Sequence, residues 1–446
     1  MKLSIILLSL MISITALAGE QYQVLSMKDR AALIDNLLED KLKNTLPALM
    51  RREGIDMWVV MSREYNEDPI IKTMLPATWL AARRRTILVM FDPGAGQEIE
   101  TLAVARYDVG KVFKRAWDPE KQTDQWKRLT EIIVERDPQK IAVNFSDHWG
   151  LADGIAATDL RVFKQSLPLD YRKRVVSAET LGIAWLETRT AAEMERYPEI
   201  CRIAHDIIAE GFSSAVIEAG VTTTEDLVWW YREKIRELKL TTWFHPTVSI
   251  QRQDPENFDH LRSFSAQPEK NIILPGDLLH VDFGITYLRL NTDTQQHAYV
   301  LKAGETDAPA YLKTALQNAN RLQDILTANF ETGKTGNEVL RQTRDQAIAE
   351  GIVPSVYTHP IGYHGHGAGP AIGRWDAQQG LPYTGEYPLY PDTAYSIELN
   401  AATFIEEWDK EIRIMLEEDA YFDQSGVRYI DGRQTAFILI AAKGGL

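Results

Sequence analysis

At 446 residues the chain exceeds one typical domain, and two or more are expected. Its composition, 45% hydrophobic and 25% charged, is that of an ordinary globular protein. A formal charge of −14 argues against nucleic acid or an anionic membrane surface as a partner.

Lys2 precedes a short apolar run from Leu3 to Ile14, closed by Ala16-Leu17-Ala18. One positive charge, a short apolar core and an A-x-A ending are the anatomy of a secretory signal peptide. The run falls short of the roughly 20 apolar residues that span a bilayer. Residues 1–18 are therefore read as a signal, and the mature protein as exported and periplasmic, with no membrane attachment after cleavage. An uncleaved anchor is the alternative. No Cys follows the cleavage site to carry a lipid. The single cysteine, Cys201, lies in a helical pattern and reads as a small buried hydrophobe.

Residues 29–52 read as an amphipathic helix with Leu33, Leu37, Leu38 and Leu42 on one stripe. Strand patterns follow at 57–61, 86–91 and 101–104, then a helix over 123–136 and a strand over 140–145. This alternation predicts a small α/β domain over 19–185 that carries no cluster of His and acidic groups. The second domain, 186–446, opens with a helix from Thr190 to Ala219 closed by Gly220. Another runs from 223 to 238 with Thr223 as its N-cap. From Trp243 strands dominate, interrupted by helices at 308–330 and 337–350, so this domain is α+β with a largely antiparallel sheet.

Two strand-like runs within 275–300 flank a polar bend, and each carries an acidic residue where an apolar one is expected. Asp282 follows Leu278-Leu279-His280-Val281, and Asp293 precedes Thr294-Gln295-Gln296-His297. If the runs pair as a hairpin, both carboxylates can meet on one face. Two carboxylates side by side in a partly buried sheet are costly unless a cation lies between them. Further on, His359, His364 and His366 stand among glycines that let the backbone approach a ligand closely. Glu398 and Glu417 each interrupt an apolar strand pattern. Singly, each acidic residue reads as a solvated strand-face residue. Together they make an oxygen-rich set with one imidazole, suited to Mn, Co, Fe or Zn, and sufficient to bridge two divalent ions ~3.5–4 Å apart.

In this order (Asp-x10-Asp, G-H-G-x-G, S-I-E, a late Glu) the motifs strongly resemble the creatinase/aminopeptidase P/prolidase family, the pita-bread metallopeptidases, over nearly the whole mature chain. The resemblance implies a C-terminal pita-bread catalytic domain behind a smaller α/β, creatinase-type N-terminal domain. It implies two divalent metal ions per chain, held by Asp282, Asp293, His366, Glu398 and Glu417, with Asp282 and Glu417 bridging or nearly so. His364 also satisfies H-x-x-G and is the alternative register; the G-H-G-x-G form favours His366. His260 matches the upstream His that contacts substrate, and His359 the His preceding the metal ligand. Glu398 would take up the proton of the attacking water. The implied substrates are short Xaa-Pro peptides, and the implied assembly is a homodimer. Two positions depart from the pattern: Trp375-Asp376 stands where a His-acid pair is usual, and Met415 replaces an Arg two residues before the last Glu. A creatinase-like hydrolase and a catalytically silent binding protein of the same fold are the competing readings.

Gly333-Lys334-Thr335 lacks the glycine and the preceding strand of a phosphate-binding loop. The glycines of 362–373 open no helix, unlike a dinucleotide fingerprint, and no G-x-S-x-G occurs to support a serine hydrolase.

Overall fold

The computed structural model describes residues 24–94, 96–253 and 271–441; the expected signal segment and His260 lie outside them. The helix expected over 29–52 is two helices, α1 (Met27–Asn44) and α2 (Leu46–Glu53). Pro47 lacks the N–H needed to continue the hydrogen-bond ladder, so the chain breaks at Thr45. There follow β1 (Met57–Arg63), α3 (Pro69–Met74), β2 (Arg85–Phe91), β3 (Glu100–Ala103), β4 (Lys114–Arg115), α4 (Gln125–Arg136), β5 (Ile141–Val143), α5 (Ala157–Ser166), α6 (Leu169–Arg172) and β6 (Val175–Ser177).

These strands form one mixed sheet in the order β4-β3-β2-β1-β5-β6. Along β1 successive side chains feed opposite cores. Trp58 and Val60 pack into one cluster, and Met57, Val59 and Met61 into the other. This two-sided burial explains why β1 is apolar throughout instead of alternating.

α7 (Glu179–Glu187) still belongs to the first of these cores through Leu181, Ile183 and Trp185. α8 (Ala191–Met194) and α9 (Tyr197–Gly211) replace the single helix expected over 190–219. Pro198 in the first turn of α9 suits a new start, and the Ser213 hydroxyl binds the Glu210 carbonyl where the helix ends. α10 (Thr224–Glu237) begins with a capping box between Thr223 and Asp226.

The remaining elements are β7 (Thr247–Gln251), β8 (Leu278–Phe283), β9 (Thr286–Tyr287), β10 (Leu290–Asn291), β11 (Thr294–Val300), α11 (Ala310–Ala328), α12 (Gly336–Ala349), β12 (Val353–Val356), β13 (His359–Pro360), β14 (Thr393–Ser396), β15 (Leu399–Ile405), β16 (Lys410–Leu416), β17 (Asp419–Asp423), β18 (Gly426–Tyr429) and β19 (Ile438–Ile440). They build three sheets, β19-β11-β8-β7, β12-β15-β16 and β13-β14-β17-β18, beside the small hairpin β9-β10. α9 and α10 share a core with β8 and β11, while α11 and α12 share one with β15 and β16. The architecture is an α+β C-terminal region behind an α/β domain. No helix among the described residues is long and apolar enough to cross a membrane.

Two long runs pass from one sheet to another. The chain leaves β14 for β15 through Ile397-Glu398, and leaves β16 for β17 through Glu417-Glu418. The registers Ser396↔Asp419 and Leu399↔Leu416 place these two crossings opposite each other.

Candidate metal centre

β8 and β11 pair antiparallel with Gln295 opposite Asp282. Opposed residues share a face, and Asp293 lies two positions before Gln295, so the pleat aims Asp282, Asp293 and Gln295 to one side. A backbone bridge between Gln295 and Glu417, with N···O distances of 3.0 and 3.2 Å, brings the second sheet crossing onto that face. Asp282, Asp293 and Glu417 thereby present carboxylate oxygens within 4.8 Å of one another.

The imidazole comes from β13, paired to β14 through His359↔Ser396. His359 Nε2 lies 3.6 Å from Glu417 Oε1, 3.8 Å from Asp293 Oδ2 and 3.9 Å from Glu398 Oε2. After Pro360 the chain doubles back. Gly367 N–H donates to the Pro360 carbonyl at 2.8 Å, and a Cβ on Gly367 would sit 2.5 Å from that oxygen, which only glycine avoids. The turn returns His366 to His359 with ring centroids 4.8 Å apart. His366 forms a candidate ligand group with Asp293 and His359, but it is the exposed member, whereas those two are buried.

His364 points elsewhere. It belongs to none of the candidate ligand groups and lines a separate cavity against the N-terminal domain. Between the two histidines Gly365 packs on the Trp243 ring, where a Cβ would lie 2.2 Å away, and of the pair only His366 also lines the cavity of the carboxylates.

Electrostatics at the cluster favour a cation. Burial, then the nearby Glu417 charge, pushes the Asp282, Asp293 and Glu398 carboxyls well above their ordinary range. Asp282 Oδ1, Asp293 Oδ1 and His359 Nε2 are buried atoms with no hydrogen-bond partner. Orphaned buried acceptors of this kind are expensive unless something ligates them. Hard oxygens with one imidazole fit a divalent cation of the Mn, Co, Fe or Zn type. Burial, reinforced by His359, lowers the His366 imidazole to about 4, so it is neutral near pH 7.

Three supporting groups were not anticipated. The Gln295 amide donates to Glu417 Oε2 at 2.6 Å and Glu398 Oε1 at 2.9 Å, and its oxygen meets His280 Nε2 at 2.9 Å. The Ser396 hydroxyl donates to Glu417 Oε1, and Asp419 accepts the Asp293 backbone N–H at 3.3 Å. Gln295 was detectable from the two-residue strand period counted from Asp293. Ser396 and Asp419 depend on the sheet crossing, which no local pattern announces.

The cluster floors a cavity of about 350 Å³ whose walls include Trp243, Phe244, Tyr357, Trp375 and Met415. Apolar and aromatic walls around a few convergent polar groups are the usual form of a small-molecule site.

Comparison with curated proteins gave no match. Among solved structures the fold is similar to X-Pro aminopeptidase from Thermotoga maritima MSB8, at 16% identity and TM-score 0.61, covering 88% of this chain and 99% of that one. It is also similar to Xaa-Pro dipeptidase from Bacillus anthracis, at 15% identity and TM-score 0.57, covering 93% and 100% respectively. Prolidase from Pyrococcus furiosus aligns at 12% identity and TM-score 0.54, covering 87% and 99%. Residues 199–431, which contain every acidic group of the cluster, match the profile of metallopeptidase family M24. The chain therefore belongs to metallopeptidase family M24, the pita-bread metallo-hydrolases of the creatinase, aminopeptidase P and prolidase group.

Proposed function

We propose that the protein is an exported peptidase that uses two divalent ions to hydrolyse short Xaa-Pro peptides, and that it works as a homodimer. The observation that carries the reading is the convergence of three carboxylates on His359 Nε2, with Asp282 joining two of them, and three buried ligand atoms lacking any other partner. Asp282, Asp293, His359, Glu398 and Glu417 are assigned as the metal-holding set. This exchanges the roles expected for His359 and His366, because His359 reaches three of the carboxylates from a buried strand while His366 stands exposed beside it. His366 then becomes the imidazole that follows the metal ligand, the place first given to Trp375-Asp376.

Divalent cations held in this set would supply Lewis-acid activation of a water and of the scissile carbonyl. The chain's own groups do the rest. Glu398, tethered at Oε1 by Gln295, takes the proton released by the attacking water. His366, neutral and on the cavity wall, is placed to donate a hydrogen bond to the oxyanion that develops on the substrate. The aromatic walls shelter an apolar ring such as proline, whose missing amide hydrogen defeats ordinary peptidases.

The test is metal analysis of purified protein coupled to a panel of proline-containing peptides, with Asp293→Ala as control. About two ions per chain and cleavage confined to Xaa-Pro bonds are expected, both lost in the variant. Two bound ions with every Xaa-Pro peptide left intact would reject the proline specificity, and metal-free inert protein would reject the peptidase.

A further inference from the structure

The second cavity, about 610 Å³, lies between the domains and shares Trp243 and His366 with the metal cavity. The His366 ring borders both cavities, lying edge-on to His359 at 4.8 Å and to Trp243 at 5.2 Å, centroid to centroid. Their charges are opposite. Among the described residues the metal cavity is lined by four carboxylates and by no Lys or Arg, whereas the second is lined by Lys72 of α3 and Arg289 and by no Asp or Glu. Among the described residues, no carboxylate oxygen lies within 4.0 Å of either cation. His364 also lines this cavity, and its Nδ1 is buried without a partner.

Arg289 is held there at a cost. Leu288 and Arg289 form the two-residue turn between β9 and β10 with φ of 54° and 67°. Such a turn ordinarily carries Asn-Gly, and a residue with a side chain is strained in this left-handed conformation. The strained turn sends Arg289 Nη1 to the Leu75 carbonyl at the end of α3, 2.8 Å away, and so fixes a guanidinium beside Lys72.

A short peptide is a zwitterion, and adjoining cavities of opposite sign orient it. With roughly 3.3–3.6 Å per extended residue, the carboxylate of a tripeptide lies about 7 Å beyond a scissile Xaa-Pro bond seated at the acidic cluster. We propose that the Lys72–Arg289 cavity receives the C-terminal carboxylate of the substrate past its proline, which makes peptides of three or more residues the preferred substrates over Xaa-Pro dipeptides. Among the described residues the metal cavity's lining has Met415 and no Lys or Arg, so the cations suited to a peptide carboxylate are those of the second cavity. This rests on the peptidase reading above.

Arg289 also pins the hairpin to α3, so the test uses exposed Lys72. The metal-loaded full chain is assayed with Ala-Pro-Gly and its C-terminal amide, in wild type and Lys72→Met. Wild type is expected to favour the acid through KM. Lys72→Met is expected to raise KM for the acid about tenfold, the scale of one charge-assisted contact at a partly open site, with kcat and the amide unchanged. Equal effects on acid and amide, or no wild-type discrimination, would overturn the proposal. If neither peptide is cleaved, the peptidase reading fails, and equilibrium binding of the two peptides decides the cavity separately: tighter binding of the acid that Lys72→Met abolishes supports it, and equal binding overturns it.

Discussion

Replacing Gln295 with leucine tests whether the carboxylate cluster is held ready for cations or is organised only by them. The change keeps a side chain of similar bulk and deletes an amide that bonds Glu417 at 2.6 Å and Glu398 at 2.9 Å. A hydrogen bond to an ionised group contributes about 1.5–3 kcal/mol. Glu398 borders the open cavity, so water can replace its lost donor. Glu417 is buried at 1% exposure and loses its bond outright. One full bond of that size equals roughly a 10- to 100-fold loss of metal affinity, the range typical of groups that orient metal ligands. Calorimetric titration of chelator-stripped protein with Mn²⁺ measures it. Gln295→Glu, which sets a fifth carboxylate beside the other two, should differ from the leucine variant in salt dependence. Unchanged Mn²⁺ affinity in Gln295→Leu, within twofold, would show that Gln295 does not preorganise the site.

Metal removal should make stability pH-dependent. Asp282, Asp293 and Glu398 have native-state pKa values raised by burial and by Glu417. Raised carboxyls contribute stability that is complete below their unfolded values near 4 and is lost as pH rises through the raised ones. Thermal melts of chelated protein should therefore fall as pH rises above about 5, while metal at 100 times its Kd restores about 2.7 kcal/mol per site. A chelated protein whose melting point is flat over that rise in pH refutes the burial argument. Burial acts against charging His205, but the hydrogen bonds it donates to Asp431 and Glu418, at 3.0 and 2.7 Å, outweigh it and hold the pKa up to about 10. That stability is fully present below pH 6.5 and lost through about pH 10. His205→Ala leaves Glu418 buried without its cation and should cost about 3–5 kcal/mol in urea unfolding at pH 7. A loss below about 1 kcal/mol would refute the buried ion-pair reading.

Local chemistry made much of this protein legible. Apolar strands, the Thr223 cap, the antiparallel pairing of the two acidic runs and the metal-suited set of residue types all follow from nearest neighbours along the chain. So does the M24 resemblance, since its motifs are ordered words in the sequence. The misplaced helix boundaries at Thr45 and Arg196 were partly signalled by Pro47 and Pro198, whose effect on a ladder is local.

What the sequence could not decide was which imidazole meets the carboxylates. His359, His364 and His366 all lie in one glycine-rich stretch, and the G-H-G-x-G form alone points to His366. The choice falls to β13 pairing with β14 and to the return of Gly367 onto Pro360, contacts across the fold that bury His359 against Glu417 and leave His366 at the wall. The same holds for Gln295 and for the Lys72–Arg289 cavity, which joins residues 217 positions apart. Residue type and period are written locally because side-chain direction alternates with the backbone. Which of several equivalent donors converge depends on where strands change sheets and domains meet, and only the folded chain sets those points.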